Sequence, residues 1–317
     1  MIRILITTSS FDTEHNAQLR RLRESGCQVE PNPHGRRLTE AEVADLLGND
    51  IVGVIAGVEP LTRAVIGKAH SLKIISRCGI GLDSVDLDAA AERGIKVYNT
   101  PSAPAWAVAE LTLALVLNLL RRVAEADRSL RQNEWKQLMG SLLAFQTVGI
   151  IGFGRIGRRV AELAHTFGAK ILIHDKVMAD VPDYCEAADF DRLLQRSDIV
   201  TLHVPLLPEL RHMIGRAQLA RMKHGAYLIN AARGGLVDEA ALLESLQTGA
   251  LAGAALDTFE VEPYHGPLAA MPQVLLTAHM GSYARESRIQ MEQEAAHNLL
   301  LGLTSLGVIA AESAATQ

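Results

Sequence analysis

The sequence predicts an α/β protein with parallel sheets, divided into two domains. Three observations carry that reading. Short β-branched apolar runs alternate with Ala-, Leu- and Arg-rich stretches of helical period. The apolar runs are continuous, as strands are when both faces of a parallel sheet are covered. The chain has 317 residues, about twice the common single-domain length.

In the first part of the chain the strands fall at Ile2–Ile6, Ile51–Ala56, Lys73–Ser76 and Lys96–Tyr98. Helices are expected over Glu14–Ser25, Thr39–Leu47, Leu61–Ala69 and Asp86–Arg93, and Thr39 with Glu42 has capping-box spacing. One long helix follows over Ala105–Arg131, with Trp106, Leu111 and Leu115 on a shared face, then an irregular connector over Gln132–Gln146. The second series has strands at Val148–Ile151, Lys170–His174, Ile199–His203, Tyr227–Asn230, Ala252–Leu256 and Val274–Thr277. Its helices include Arg155–Phe167, Arg216–Met222 and Glu239–Gln247. A closing helix runs from Tyr283 to Leu301, and a polar tail begins at Glu312.

Composition narrows the class. Hydrophobic residues make up 48%, charged residues 21%, and net charge is -5, which excludes a disordered chain and gives no pull toward nucleic acid or an anionic membrane. Aromatics are 4%, so Ala, Leu, Val and Ile must build the core. Cys27, Cys78 and Cys185 are too few and too scattered for a disulfide framework or a metal site, and they suit a reducing compartment. The apolar run at Ile2–Ile6 is too short for a signal peptide. Val108–Leu120, interrupted by Glu110 and Asn118, falls short of the ~20 residues of a membrane span. A soluble cytoplasmic protein is expected.

The strongest local signal is Val148-Gly149-Ile150-Ile151-Gly152-Phe153-Gly154-Arg155-Ile156-Gly157-Arg158, a G-x-G-x-x-G that follows a strand and opens a helix. Gly152 allows the tight turn, Gly154 lets backbone approach a pyrophosphate, and Gly157 permits close helix–strand packing. The helix N-terminus presents free N–H groups to the anion. Asp175 ends the next strand 18 residues after Gly157, near the spacing of the acid that binds an adenosine ribose. A carboxylate there repels a 2′-phosphate, so NAD is favoured over NADP, although Lys176 could partly offset the repulsion.

Polar residues then cluster just past strand ends, where open α/β sheets bind ligands. Arg233, in Asn230-Ala231-Ala232-Arg233-Gly234-Gly235, has the planar fork that suits a carboxylate. Asp257, Glu260 and Glu262 follow the next strand, and His279 follows the last one, before Gly281. A His–carboxylate pair beside a nicotinamide supplies acid–base chemistry near neutral pH.

With these blocks the chain resembles the D-isomer-specific 2-hydroxyacid dehydrogenases, in their 3-phosphoglycerate dehydrogenase-like branch. The resemblance runs over about residues 50 to 300 and adds Arg77-Cys78-Gly79-Ile80-Gly81-Leu82-Asp83, Asn99-Thr100-Pro101, Val108-Ala109-Glu110 and His203-Val204-Pro205-Leu206-Leu207-Pro208. It implies Arg233 as the clamp on substrate carboxylate and carbonyl, His279 as acid/base, and Glu262 as the carboxylate that favours its imidazolium. It also implies Asp257 at the nicotinamide carboxamide, and Arg155, Ile156, His203, Val204, Pro205, Ala231, Ala232, His279 and Gly281 along the cofactor. The Arg77–Gly81 loop, including Cys78, Gly79 and Ile80, would offer backbone N–H groups to the substrate carboxylate, beside Arg233 and His279. The long helix would form a two-fold interface through Leu111, Leu113, Leu115, Val116, Leu117 and Leu119, making a homodimer.

The departures from the family pattern matter. Ala56 and Gln137 stand where phosphate-handling members bring arginines, leaving Arg77 with Lys136 as a possible substitute. The substrate is therefore 3-phosphoglycerate, or glyoxylate, hydroxypyruvate or another small 2-oxo acid. Ala278 replaces the proline common before the histidine. Glutamate at 262 argues against the formate-oxidising branch, while the triad leaves a phosphite-type dehydrogenase open. A different class, an NAD(H)-sensing binding protein of co-repressor type, keeps the same triad. The chain length leaves no room for the C-terminal regulatory domains of longer relatives, so serine feedback is not expected.

The implied architecture is two Rossmann-like/flavodoxin-like domains with parallel sheets, the cofactor domain inserted in a discontinuous substrate domain. Residues 100–284 would bind NAD, and residues 1–99 with 285–317 would bind substrate. The two chain crossings would act as hinges around a cleft.

Overall fold

A computed structural model of the chain describes residues 2–310; the polar tail expected from Glu312 lies outside them. The chain divides into two compact units, one reaching to Pro104 and resuming at Ala284, the other Ala105–Tyr283.

The first unit contains β1 (Ile2–Ile6), α1 (Ala17–Glu24), β2 (Cys27–Glu30), α2 (Glu40–Leu47), β3 (Ile51–Ala56), α3 (Arg63–Lys68), β4 (Ile74–Arg77), α4 (Leu87–Glu92) and β5 (Lys96–Asn99). Its strands form one parallel sheet in the order β2-β1-β3-β4-β5. Side chains of Asn16, Thr39, Thr62 and Asp86 cap the four helices, and Thr39 with Glu42 forms a full capping box.

The second unit begins within α5 (Pro104–Arg121) and continues with α6 (Val123–Arg131), β6 (Thr147–Ile151), α7 (Arg155–Thr166), β7 (Lys170–His174), β8 (Cys185–Ala187), α8 (Phe190–Arg196) and β9 (Ile199–Leu202). Then come α9 (Arg216–Leu219), β10 (Ala226–Asn230), α10 (Glu239–Gln247), β11 (Leu251–Leu256) and β12 (Val274–Leu276). The seven strands are parallel in the order β12-β11-β10-β9-β6-β7-β8. Leu115, Val116, Leu119 and Leu120 of α5 join the core with Ile150 and Ile171, so Leu115, Val116 and Leu119 are not the surface side chains that the expected two-fold interface required.

Helix α11 (Arg285–Ser305) returns to the first unit. Leu299 is fully buried and packs so closely on β3 that a Cβ at Gly53 would lie 2.7 Å from its Cδ1. The Ser76 hydroxyl donates to the Ala295 carbonyl at 2.7 Å, and Asn298 Nδ2 donates to the Asn99 carbonyl at 3.0 Å. The C-terminal helix therefore completes the sheet begun at the N-terminus.

The structure differs from the sequence expectation in several places. Strands β2 and β8 were not expected, because each is a short edge strand with polar residues and no apolar run. The long helix is broken at Arg122, which takes φ +52°, and Asn118 Oδ1 accepts the Ala124 N–H at 2.9 Å to start α6. No Gly or Pro marks that break. Trp106 lies off the buried face, 51% exposed with the Arg159 guanidinium 3.5 Å above its ring. Helix α9 ends at Leu219, not Met222, and α11 starts at Arg285 and runs past Leu301 to Ser305. Helix α5 is 18 residues long and apolar enough to resemble a membrane span by composition alone, yet over half of it is buried inside the protein.

Leu299→Ala removes a fully buried side chain from the α11 contact. It should lower stability by about 2–5 kcal/mol in denaturant unfolding.

Candidate active site

The order of the seven-stranded sheet reverses between β6 and β9, so the segments after those strands diverge and open a crevice at their carboxyl ends. Gly152 sits there with φ +96°, and a Cβ on it would lie 2.5 Å from the His203 carbonyl oxygen. A Cβ on Gly157 would run into the Gly152 carbonyl, so α7 can pack on β6 only with glycine there. Gly154, by contrast, has nothing within 4 Å of where its Cβ would be. It begins α7 without a side-chain cap, which leaves open backbone N–H groups at that helix start, next to Arg155 and Ile156.

Two polar groups flank this cradle. The Asp175 carboxylate accepts N–H bonds from Phe153 at 2.6 Å and Val177 at 3.1 Å, which fixes it beside the glycine turn. Its neighbour Lys176 is exposed and lies 3.7 Å from Glu209. On the other side His203 shares a 3.0 Å hydrogen bond with Thr201 through Nε2. Burial pushes its imidazole down to about 3, so the ring is neutral. Its Nδ1 is enclosed and has no hydrogen-bond partner among the described residues. Val204 and Pro205 continue the same segment, and a Cβ on Gly152 would meet Val204 at 2.8 Å. An open glycine turn, a placed carboxylate and an enclosed polar atom awaiting a partner fit a dinucleotide.

The loops after β10, β11 and β12 meet along the same edge. Asp257 is 1% exposed and its carboxylate accepts three bonds: from the Thr277 hydroxyl at 2.6 Å, Met280 N–H at 2.9 Å and Gly281 N–H at 2.8 Å. Its own carbonyl accepts the His279 N–H at 2.8 Å. This winds the turn after β12 so that His279 takes φ +49°, an uncommon conformation for a side-chain-bearing residue. His279 Nδ1 then lies 2.9 Å from Glu262 Oε2 and 3.1 Å from Oε1. Glu262 also accepts the Phe259 N–H at 3.1 Å, which orients the carboxylate.

Arg233 extends from the loop after β10. Its Nη1 donates to the Ala232 carbonyl at 2.7 Å, and its own carbonyl accepts Asn230 Nδ2 at 2.8 Å. Ala231 and Gly234 are buried beside it. A Cβ on Gly234 would collide with the Phe259 backbone, so the Arg233 loop rests directly on the turn that carries Glu262.

That turn is held from behind by residues with no local sequence signal. Glu260 accepts Arg211 Nη2 at 2.9 Å and lies 3.1 Å from His212 Nε2, while its N–H donates to Glu239 at 2.7 Å. Burial raises the pKa of Glu239. These partners come from two segments distant from Glu260 in the chain, and only folding shows them together.

In the first unit the Arg77–Gly81 loop is tighter than the sequence implied. Arg77 is 8% exposed, and its guanidinium folds over Gly79 onto the Cys78 carbonyl. The Cys78 N–H is committed to the Ala56 carbonyl at 2.8 Å and the Gly79 N–H to Thr100 Oγ1 at 2.8 Å. Cys78 and Gly79 thus spend their amides inside the fold, so they are not the ligand donors the resemblance implied. Burial pushes the Cys78 thiol up to about 11. Lys136, suggested as a phosphate partner, is paired with Glu134 at 2.6 Å. A cation that sequence reasoning missed, Arg288 of α11, approaches Cys78 Sγ at 4.0 Å.

Comparisons with known proteins identify the family. Residues 113–281 match the NAD-binding domain of the D-isomer-specific 2-hydroxyacid dehydrogenases. A D-3-phosphoglycerate dehydrogenase of Methanocaldococcus jannaschii is 41% identical over 91% of the chain, although the chain spans only 55% of that relative. A hydroxypyruvate reductase of Thermotoga maritima is 40% identical over 79% of the chain and 84% of its own length. The crystal structure of a glyoxylate reductase from Paecilomyes thermophila superposes with a TM-score of 0.86 at 30% identity, covering 96% of both chains. A glycine cradle for NAD, a histidine–glutamate pair and an arginine loop thus lie along one sheet edge in a chain that belongs to the D-isomer-specific 2-hydroxyacid dehydrogenases, NAD-dependent oxidoreductases acting on CH–OH donors.

Proposed function

We propose that this chain interconverts a small 2-oxo acid and its D-2-hydroxy acid. The contact between His279 and Glu262 carries the reading. Carbonyl reduction needs a proton relay, and this pair holds one at 2.9 Å.

A dinucleotide held by the glycine cradle would donate a hydride to the substrate C2 in reduction and accept one from it in oxidation. His279 does the proton work. Its Nδ1 is held by Glu262, so Nε2 is the atom that gives a proton to the carbonyl oxygen in reduction and takes the hydroxyl proton in oxidation. Glu262 orients the ring and fixes its tautomer. Arg233 suits the substrate carboxylate and carbonyl through paired charge-assisted bonds. Glyoxylate, hydroxypyruvate and 3-phosphohydroxypyruvate are the candidate oxo acids, since relatives named for all three substrate types align.

A homodimer fits the exposed apolar side chains of the connector before β6. Trp135, Met139 and Phe145 are 83%, 88% and 82% exposed, more apolar surface than a monomer ordinarily leaves open. The three buried free cysteines fit a reducing, cytoplasmic location.

With a panel of 2-oxo acids, NADH should be oxidised, and His279→Ala or Arg233→Ala should lower kcat/KM by about 100-fold or more. Absence of turnover with every oxo acid between about pH 5 and 9 would sink the enzymatic reading. In fluorescence titration NADH should bind about tenfold or more tighter than NADPH, and Asp175→Ala should narrow that gap. Light scattering should give roughly twice the 34.3 kDa chain mass at micromolar concentration. A monomer there would rule out the dimer.

A further inference from the structure

The loop that follows β7 depends on one side chain from α7. Residues 176–180 are all exposed, and none of them makes a backbone–backbone hydrogen bond among the described residues. A segment with so few internal ties ordinarily opens readily. Yet Asp180 takes φ +49°, a left-handed conformation uncommon outside glycine that persists where the surroundings hold it. Arg158 provides that hold. Its Nη1 donates to the Asp180 carbonyl at 2.7 Å, and its Nη2 donates to the Ala179 carbonyl. The same guanidinium lies 4.5 Å from the centre of the Phe153 ring, and Phe153 is 3% exposed. The arginine therefore stacks on a fixed base and grips two successive carbonyls with the two arms of its planar fork.

Phe153 connects this latch to Asp175. Its N–H is the 2.6 Å donor to Asp175 Oδ2, while Oδ1 accepts the Val177 N–H at 3.1 Å. The carboxylate is thus tied on one side to the glycine turn and on the other to the near end of the loop. Arg158 pins the far end of that loop to the helix that the glycine turn opens. With both ends held, the carboxylate keeps one position; with the far end released, Val177 and the Oδ1 contact are free to shift. The latch also directs charge. Both terminal nitrogens of Arg158 donate to carbonyls, and the exposed Lys176 lies 3.7 Å from Glu209. The cations of this corner are thereby turned toward acceptors within the protein, and Asp175 remains the charge that an entering ribose meets.

We propose that Arg158 is a positioning residue for cofactor selection: by latching residues 179 and 180 onto α7 it fixes the Asp175 carboxylate where a ribose hydroxyl is accepted and a 2′-phosphate repelled. The inference rests on the reading of Asp175 as the ribose carboxylate.

Two measurements on the full chain test it. Fluorescence titration gives NADH and NADPH affinities, and limited trypsin digestion of the ligand-free protein follows cleavage after Lys176. Arg158→Met should speed that cleavage about fivefold or more. It should weaken NADH about tenfold and change NADPH by about twofold or less, because the loop must then be ordered at the expense of binding. Arg158→Lys keeps the charge without the fork, so it should shift both readouts the same way by a smaller factor, and it keeps the test open if Arg158→Met fails to fold. In an Asp175→Ala background, Arg158→Met should cost NADH less than about twofold, since the group it positions is gone. A loss of NADPH affinity as large as that of NADH would overturn the proposal, because Arg158 would then be a phosphate ligand or a general support. Unchanged cleavage after Lys176, or an equal NADH loss with and without Asp175, would overturn it as well. If Asp175→Ala alone leaves the ratio of NADH to NADPH affinity unchanged, the ribose reading of Asp175 fails first, and this inference falls with it.

Discussion

The Asp257 carboxylate organises the acid–base end of the second unit. It is buried at the end of β11, where an unpaired charge would be costly, and it is satisfied by the hydroxyl and two N–H groups of the turn after β12. Those three bonds leave that turn little choice of path. The path carries His279 into the left-handed region and onto Glu262, whose carboxylate is steered by the Phe259 N–H. The family resemblance implies that Asp257 meets the nicotinamide. In the structure its oxygens also hold the loop that presents the acid–base histidine.

Close backbone approach is the second constraint. Gly234 lets the Arg233 loop rest on the Phe259 backbone, and Gly157 lets α7 rest on the turn at Gly152. Any side chain at either place would force apart segments that each carry a functional group. The Glu260, Arg211, His212 and Glu239 cluster then braces the Glu262 turn from outside. An exposed ion pair contributes little by itself. Here the backbone bond to Glu239, the Arg211 guanidinium and the His212 ring all act on Glu260, and together they limit the turn's freedom.

In the first unit Arg77, Glu59 and Glu292 are buried. The family resemblance implies that Ala56 and Gln137 stand where phosphate-handling members bring arginines. It does not show that Lys136 is spent on Glu134, or that Arg288, over two hundred positions from Cys78 in the chain, reaches its sulfur. The buried positions of Glu59 and Glu292 are likewise invisible from residue types, because isolated glutamates usually read as solvated surface.

The sequence by itself determined the alternation of strands and helices, the glycine turn, and the strand-end positions of Arg233, Asp257, Glu262 and His279. These are local patterns, in which each residue's chemistry and its spacing from a neighbouring strand suffice. Tertiary structure decided the edge strands β2 and β8, which pair without an apolar run, and the break at Arg122, which Asn118 stabilises without Gly or Pro. It also decided which amides of the Arg77–Gly81 loop are already used, and how the Asp257 carboxylate bends the His279 turn. Those outcomes depend on hydrogen bonds between segments far apart in the chain, and no local pattern records which distant partner a donor will find.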